Sequence, residues 1–140
     1  MAADGRPPLL EEDPALVLAP VIARYQRALA TGDLDGILGV FKPEGYVREP
    51  SGGSHVHRGR DGLRRFYAGL FALGALSLEH CAATDDGVAC ALEYNVVRWG
   101  GTPLPPQAGI AVYERGASGL LAAARMYDDV VVPSSLTAAS

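Results

Sequence analysis

Lysine occurs once in this 140-residue chain, at Lys42; tryptophan also occurs once, and cysteine twice. Each scarcity closes off a class of function. Nucleic-acid binding needs a concentrated basic face. Here 12 basic residues stand against 16 acidic ones, for a net charge of −4, and the arginines are scattered among acids. That pattern predicts a solvated surface and no nucleic-acid partner. Cys81 and Cys90 have neither CxxC spacing nor a histidine cluster around them, so they read as small buried hydrophobes; a disulfide between their strands stays open. No uninterrupted apolar run approaches the ~18 residues needed to span a bilayer, so no membrane partner is expected. The opening MAADGRPPLLEEDP lacks a basic stretch followed by an apolar one, which predicts no signal peptide and a cytoplasmic location.

What is present fits one globular domain with room for a core and a pocket: 49% apolar and 20% charged residues. Residues 1–13 read as a disordered tail, 14–132 as the domain and 133–140 as a second tail. A first helix starts at Asp13-Pro14 or, if Pro20 marks its true beginning, at Pro20. Val21, Ile22, Tyr25, Ala28 and Leu29 then repeat at helical spacing. Gly32 ends that helix, and Asp33 caps a short second one running through Phe41, broken by Pro43 and Gly45. Tyr46–Pro50 reads as a strand, SGGSHVHRG as a loop or ragged hairpin, and Asp61 as the cap of a third helix with Leu63, Phe66, Tyr67 and Leu70 on one side.

After Gly74 the pattern changes to strands: Ser77–Ala83, Val88–Trp99, Gln107–Glu114 and Leu120–Val132. Asp-Gly, Gly-Gly and Gly116–Gly119 turns separate them, and TPLPPQ is read as a turn. Helices first and an antiparallel meander after predict an α+β domain with helices on one face of a curved sheet.

The runs RYQRALATGDLDGI, the acid-Pro pair Glu49-Pro50 and GRDGLRRFY resemble the NTF2-like cone fold. Within it they resemble bacterial ketosteroid isomerase and its SnoaL-like relatives, over about Val21 to Asp128. The resemblance implies that Tyr25 donates to a substrate carbonyl becoming an enolate. It implies that Glu49, where the isomerases usually have Asp, shuttles the proton, and that Tyr67 supports Tyr25. Phe41, Phe66, Tyr67, Leu92, Tyr94, Ala111 and Met126 would form the pocket wall. The isomerases carry a protonated aspartic acid as second oxyanion donor; counting back from Gly119 puts Ala111 there. Losing such a donor typically costs ~10²–10³ in rate. In LLAAARMYDDV, alternation puts Ala124, Met126 and Asp128 on one face, which the resemblance makes the pocket face. Asp128 and Glu49 would then be two carboxylates in one cavity, as in NTF2-like epoxide hydrolases and polyketide or polyether cyclases.

Each residue has a plainer reading: Glu49 as a solvated strand end, Tyr25 and Tyr67 as core, Asp128 paired with Arg125. His55 and His57 are expected to alternate, so that only one faces the pocket mouth, and with no third ligand at metal spacing no zinc site is expected. The expected function is a cofactor-free enzyme acting on a hydrophobic small molecule by acid–base proton transfer. The alternatives are a cyclase or epoxide hydrolase using paired carboxylates, and a non-catalytic ligand-binding protein. The convex sheet face is expected to form a homodimer.

Overall fold

The computed structural model describes residues 16–50 and 55–128, with the backbone alone for Pro106. The expected tails, the Asp13-Pro14 helix start, Asp129 and the last strand beyond Asp128 lie outside these residues. The elements in order are α1 (Pro20–Thr31), α2 (Leu34–Leu38), β1 (Phe41–Arg48), β2 (Val56–Arg58), α3 (Gly59–Phe71), β3 (Leu76–Asp85), β4 (Ala89–Trp99), β5 (Thr102–Arg115) and β6 (Leu121–Asp128).

Helix α1 begins at Pro20, whose missing N–H is no loss in a first turn. It buries Val21, Ile22, Tyr25, Ala28 and Leu29, the stripe expected from their spacing, together with Gln26. Gly32 ends the helix at φ 68°, a left-handed conformation that glycine adopts without penalty. Asp33 Oδ1 then accepts from the Gly36 amide at 3.0 Å and caps α2.

Helix α2 stops at Leu38 instead of reaching Phe41, and β1 already starts at Phe41, running through Pro43 and Gly45. A proline inside a strand is tolerated where no ladder bond is required. Here the β1–β6 register shifts between Phe41 and Tyr46, and β2 pairs only with Tyr46, Val47 and Arg48, so Pro43 sits in an irregular stretch. Helix α3 starts three residues earlier than expected, at Gly59. Its N-cap is Arg58 without a side-chain bond, and Asp61 lies in the first turn, where its carboxylate meets the positive end of the helix dipole.

The sheet has six strands among the described residues, in the order β2-β1-β6-β5-β4-β3. Strands β3 to β6 form the expected antiparallel meander, and β1 joins β6 in parallel. Strand β5 begins at Thr102, so TPLPPQ is strand and not turn. The ladder explains why prolines are allowed there. β5 pairs with β4 as far back as Thr102, but its partners on β6 reach only to Gly109; the donors that Pro103, Pro105 and Pro106 lack have no described partner on that side. Both cysteines are free thiols, Cys81 half-buried and Cys90 buried.

The three helices cover the concave face of this curved sheet. The core between them holds Ile22, Tyr25, Ile37, Phe41, Leu63, Tyr67, Leu92, Ala111, Tyr113 and Leu121. Against this layer, toward the C-terminal ends of β1 and β6, the concave face stays open.

Candidate active site

The open part of the concave face is a cavity of about 230 Å³. Its inner end is a group of phenols. Tyr25 Oη and Tyr67 Oη are 2.7 Å apart, Gln26 Nε2 donates to Tyr113 Oη at 2.9 Å, and the Tyr25 and Tyr113 rings meet edge-on at 5.0 Å. Burial pushes all three phenols well above the ordinary tyrosine value. They therefore act as neutral hydrogen-bonding groups. Tyr25 is among the residues that border the inner end of the cavity, with 0% exposed surface, and its hydroxyl is hydrogen-bonded with that of Tyr67.

One wall is built by register. Tyr94 on β4, Gly109 on β5 and Asp128 on β6 stand side by side. A methyl group at Gly109 would lie 2.6 Å from Asp128 Cβ and 2.9 Å from the Tyr94 ring. The absent side chain is what lets Tyr94 lean across the strand, and its hydroxyl donates to Asp128 Oδ2 at 2.5 Å. Burial, followed by the Asp128 charge and this hydrogen bond, raises the Tyr94 phenol. The expected Arg125 partner is committed elsewhere, with Nη2 2.8 Å from Glu114 Oε1.

At the mouth, Glu49 follows the last residue of β1. Its backbone N–H donates to the His55 carbonyl at 3.0 Å, and Val47 is paired with His57. Strand residues two apart share a face, so both histidines turn toward Glu49. His57 Nε2 is 2.8 Å and His55 Nδ1 3.5 Å from the same oxygen, Oε2. The expectation that only one of them could face the mouth is thereby corrected. Among the described residues no group of three histidine, cysteine, aspartate or glutamate side chains has the arrangement of a metal site.

Of the residues singled out in the sequence, Tyr25, Glu49, Phe66, Tyr94, Met126 and Asp128 line the cavity. Phe41, Tyr67, Leu92 and Ala111 do not. All four are fully buried one layer behind the wall, in the core between sheet and helices. Leu29, Pro50, Leu70, Leu76, Leu78, Val96, Trp99 and Tyr113 complete the lining, and no lysine, arginine or histidine is among the described residues that form it.

A family model for the SnoaL-like domain matches residues 22–124, most of the chain. The chain belongs to the SnoaL-like domain family. Solved structures repeat the fold at low identity. The epoxide hydrolase/cyclase-like enzyme SalBIII, of pyran ring formation in polyether salinomycin, has a TM-score of 0.66 at 17% identity, covering 79% of this chain and 88% of its own. A protein of Sinorhizobium meliloti described as a candidate polyketide cyclase has a TM-score of 0.65 at 19% identity, with 78% and 94% covered. A Catenulispora acidiphila protein of ketosteroid isomerase-like fold, in complex with trimethylamine, has a TM-score of 0.66 at 13% identity, with 79% and 86% covered.

In this SnoaL-like chain the inward positions of β5 are Gly109, Ala111 and Tyr113, by their pairing with Tyr94, Leu92 and Cys90. None of these carries a carboxyl, and Glu114 is turned to the Arg125 ion pair. Two arrangements of the site were not read from the sequence, although Tyr94 and the histidines were named there: the contact of Tyr94 with Asp128 across Gly109, and the approach of both histidines to Glu49. Each left a trace there, a glycine inside a strand and an HxH spacing.

Proposed function

We propose that this SnoaL-like protein is an enzyme that moves protons on a hydrophobic small molecule through Glu49 and Asp128, in a reaction that builds up positive charge. Epoxide opening and ring closure are of that kind. One observation carries the reading: two carboxylates, Asp128 on β6 and Glu49 just past β1, line one aromatic-walled cavity that has no lysine or arginine in its described wall. At an effective dielectric near 20, a carboxylate about 4 Å from a unit charge is worth about 4 kcal/mol. It favours a developing cation and opposes a developing enolate by the same amount.

The isomerase reading has less support. An enolate needs preorganised donors. Ala111 offers none, and although the Tyr25–Tyr67 contact at 2.7 Å is the one the resemblance implies, Tyr25 has 0% exposed surface. In the proposed reaction Glu49 takes the proton of the attacking hydroxyl, and Asp128, oriented by Tyr94, supplies one to the leaving oxygen. Both acid and base come from side chains. The cavity volume, about 230 Å³, lies below the ~300 Å³ where sites for drug-sized ligands usually begin. The enclosed part of the substrate is therefore a compact skeleton of one or two rings, with any longer chain leaving by Glu49 and Pro50. A pure dimerisation module would instead have filled this space. Dimerisation through the convex face, where Ile110 and Tyr127 are 40% and 44% exposed, is proposed alongside the enzyme function and is measured by analytical ultracentrifugation.

The test is a panel of cyclic epoxides, hydroxy-epoxides and β,γ-unsaturated ketones, with products followed by mass spectrometry. Turnover of the epoxides and not of the ketones is expected. Glu49→Gln should lower that turnover by roughly 10²–10⁴ while the circular dichroism spectrum is retained. Wild-type turnover in this variant sinks the reading. Tight ligand binding with no turnover of any panel member supports a binding protein instead.

A further inference from the structure

We propose that His57 is the positioning and proton-exchange partner of Glu49, a role that deepens the acid–base reading above and rests on it. Glu49 sits just past the end of β1, where no ladder holds its side chain, and it is 39% exposed. A base in such a place needs something to fix it, since ~1 Å of misplacement can cost on the order of 10²-fold in rate.

His57 is built to supply that constraint. Its strand is clamped on two sides. β2 pairs with β1 through Val47↔His57, and α3 lies so close that a methyl group at Gly62 would be 3.3 Å from the His57 carbonyl carbon. The imidazole lies on the Phe66 ring, with centroids 4.9 Å apart and planes tilted by 32°. Phe66 is itself part of the cavity wall. With its ring held there, His57 places Nε2 2.8 Å from Glu49 Oε2. Both histidines contact the same carboxylate oxygen, Oε2. Oε2 is thus the anchored oxygen of the carboxylate.

The same contact gives the proton a way out. With Glu49 ionised, His57 Nε2–H donates to Oε2; once the carboxyl is protonated, exchange of the ring proton from Nε2 to Nδ1 through water frees Nε2, and Oε2–H then donates to it. Transfer leaves a carboxylate and an imidazolium, and the imidazolium, 30% exposed, releases a proton to water. Base and relay are then both reset. Among the other groups around the pair, His55 approaches Oε2 from the same strand segment, Asp128 lines the same cavity from β6, and α3 presents the apolar Phe66. The nearby arginines are directed elsewhere: Arg58 over the Tyr46 ring, Arg60 to the Leu38 carbonyl and Arg48 to Tyr127.

Two measurements test this, one without substrate. Carbon-detected NMR of the Glu49 carboxyl against pH, in the free protein, should show two steps: one for its own proton and one that coincides with the His57 ring titration. The second step should vanish in His57→Gln. A single step that His57→Gln leaves unchanged overturns the proposal. With an epoxide turned over in the panel above, His57→Gln, which keeps a donor but cannot titrate, should lower kcat by about tenfold or more. His57→Phe should lower it by on the order of 10²-fold, with KM within about threefold in both. The pH profile of kcat should lose one limb in the glutamine variant. Unchanged kcat and profile in folded His57→Gln and His57→Phe also overturn the proposal. Full activity in Glu49→Gln instead overturns the functional reading, and the NMR titration then shows whether the histidine–carboxylate linkage stands without it.

Discussion

The two ends of the cavity are built on opposite principles. At the inner end Tyr25, Tyr67, Tyr113 and Gln26 are buried and hydrogen-bonded to one another, and the phenols are held neutral by burial. At the mouth Glu49, His55 and His57 are part-exposed, ionisable and placed just where β1 and β2 run out. A sealed phenol network gives rigidity, because each member would leave a partner unsatisfied if it moved. A half-open carboxylate–imidazole contact gives proton exchange, because water can reach it. The inner end is built for rigidity, and the mouth is the part to which our proposal gives the chemistry.

Alkaline pH offers the largest break. The buried phenols have folded-state values raised above the ordinary 10.0. Their contribution to stability is complete below that value and is lost as pH rises past it, when the unfolded chain can ionise and the folded one cannot. Tyrosinate absorbance should therefore show Tyr25, Tyr67 and Tyr113 ionising together with loss of the fold. Their gradual ionisation in a folded protein would break the comparison. Next, Tyr25→Ala should cost about 3–5 kcal/mol in denaturant unfolding, whereas Glu49→Gln should leave stability within about 0.5 kcal/mol.

A third change joins the two ends. Gly109→Ala forces a methyl group between Tyr94 and Asp128. We expect it to cost about 1–3 kcal/mol by overpacking and to lower turnover as well, since Asp128 must shift. Turnover retained alongside that loss of stability would remove Asp128 from the mechanism. The smallest effect lies far from the cavity. Asp85 accepts from both terminal nitrogens of the Arg115 guanidinium, Nη2 at 2.5 Å and Nη1 at 3.1 Å, and this contact holds its carboxyl below the usual range. Asp85→Asn should still cost no more than about 1 kcal/mol by thermal melting, as surface pairs do.

The features legible in the sequence were those with local causes. The Gly32-Asp33 stop and cap, the stripe from Val21 to Leu29 and the shared face of Met126 and Asp128 follow from backbone conformation, helical repeat and strand alternation; that this face is the pocket face came from the family resemblance. The extent of β1 and β5 was not legible, because a proline forbids a strand only where its missing donor is needed. That depends on where the neighbouring strand runs.

The site divides along the same line. Residue types and family pattern indicated Glu49, Tyr25 and Asp128 as candidates. Which hydroxyl would be sealed and which carboxylate would gain an imidazole depended on cross-strand register. Tyr94 meets Asp128 because Gly109 lies between them across three strands, and Glu49 meets His57 because Val47 pairs with it. Periodicity gives the face a side chain points to; its neighbour on that face is set by how distant strands slide into place, and a one-residue slip would exchange every partner.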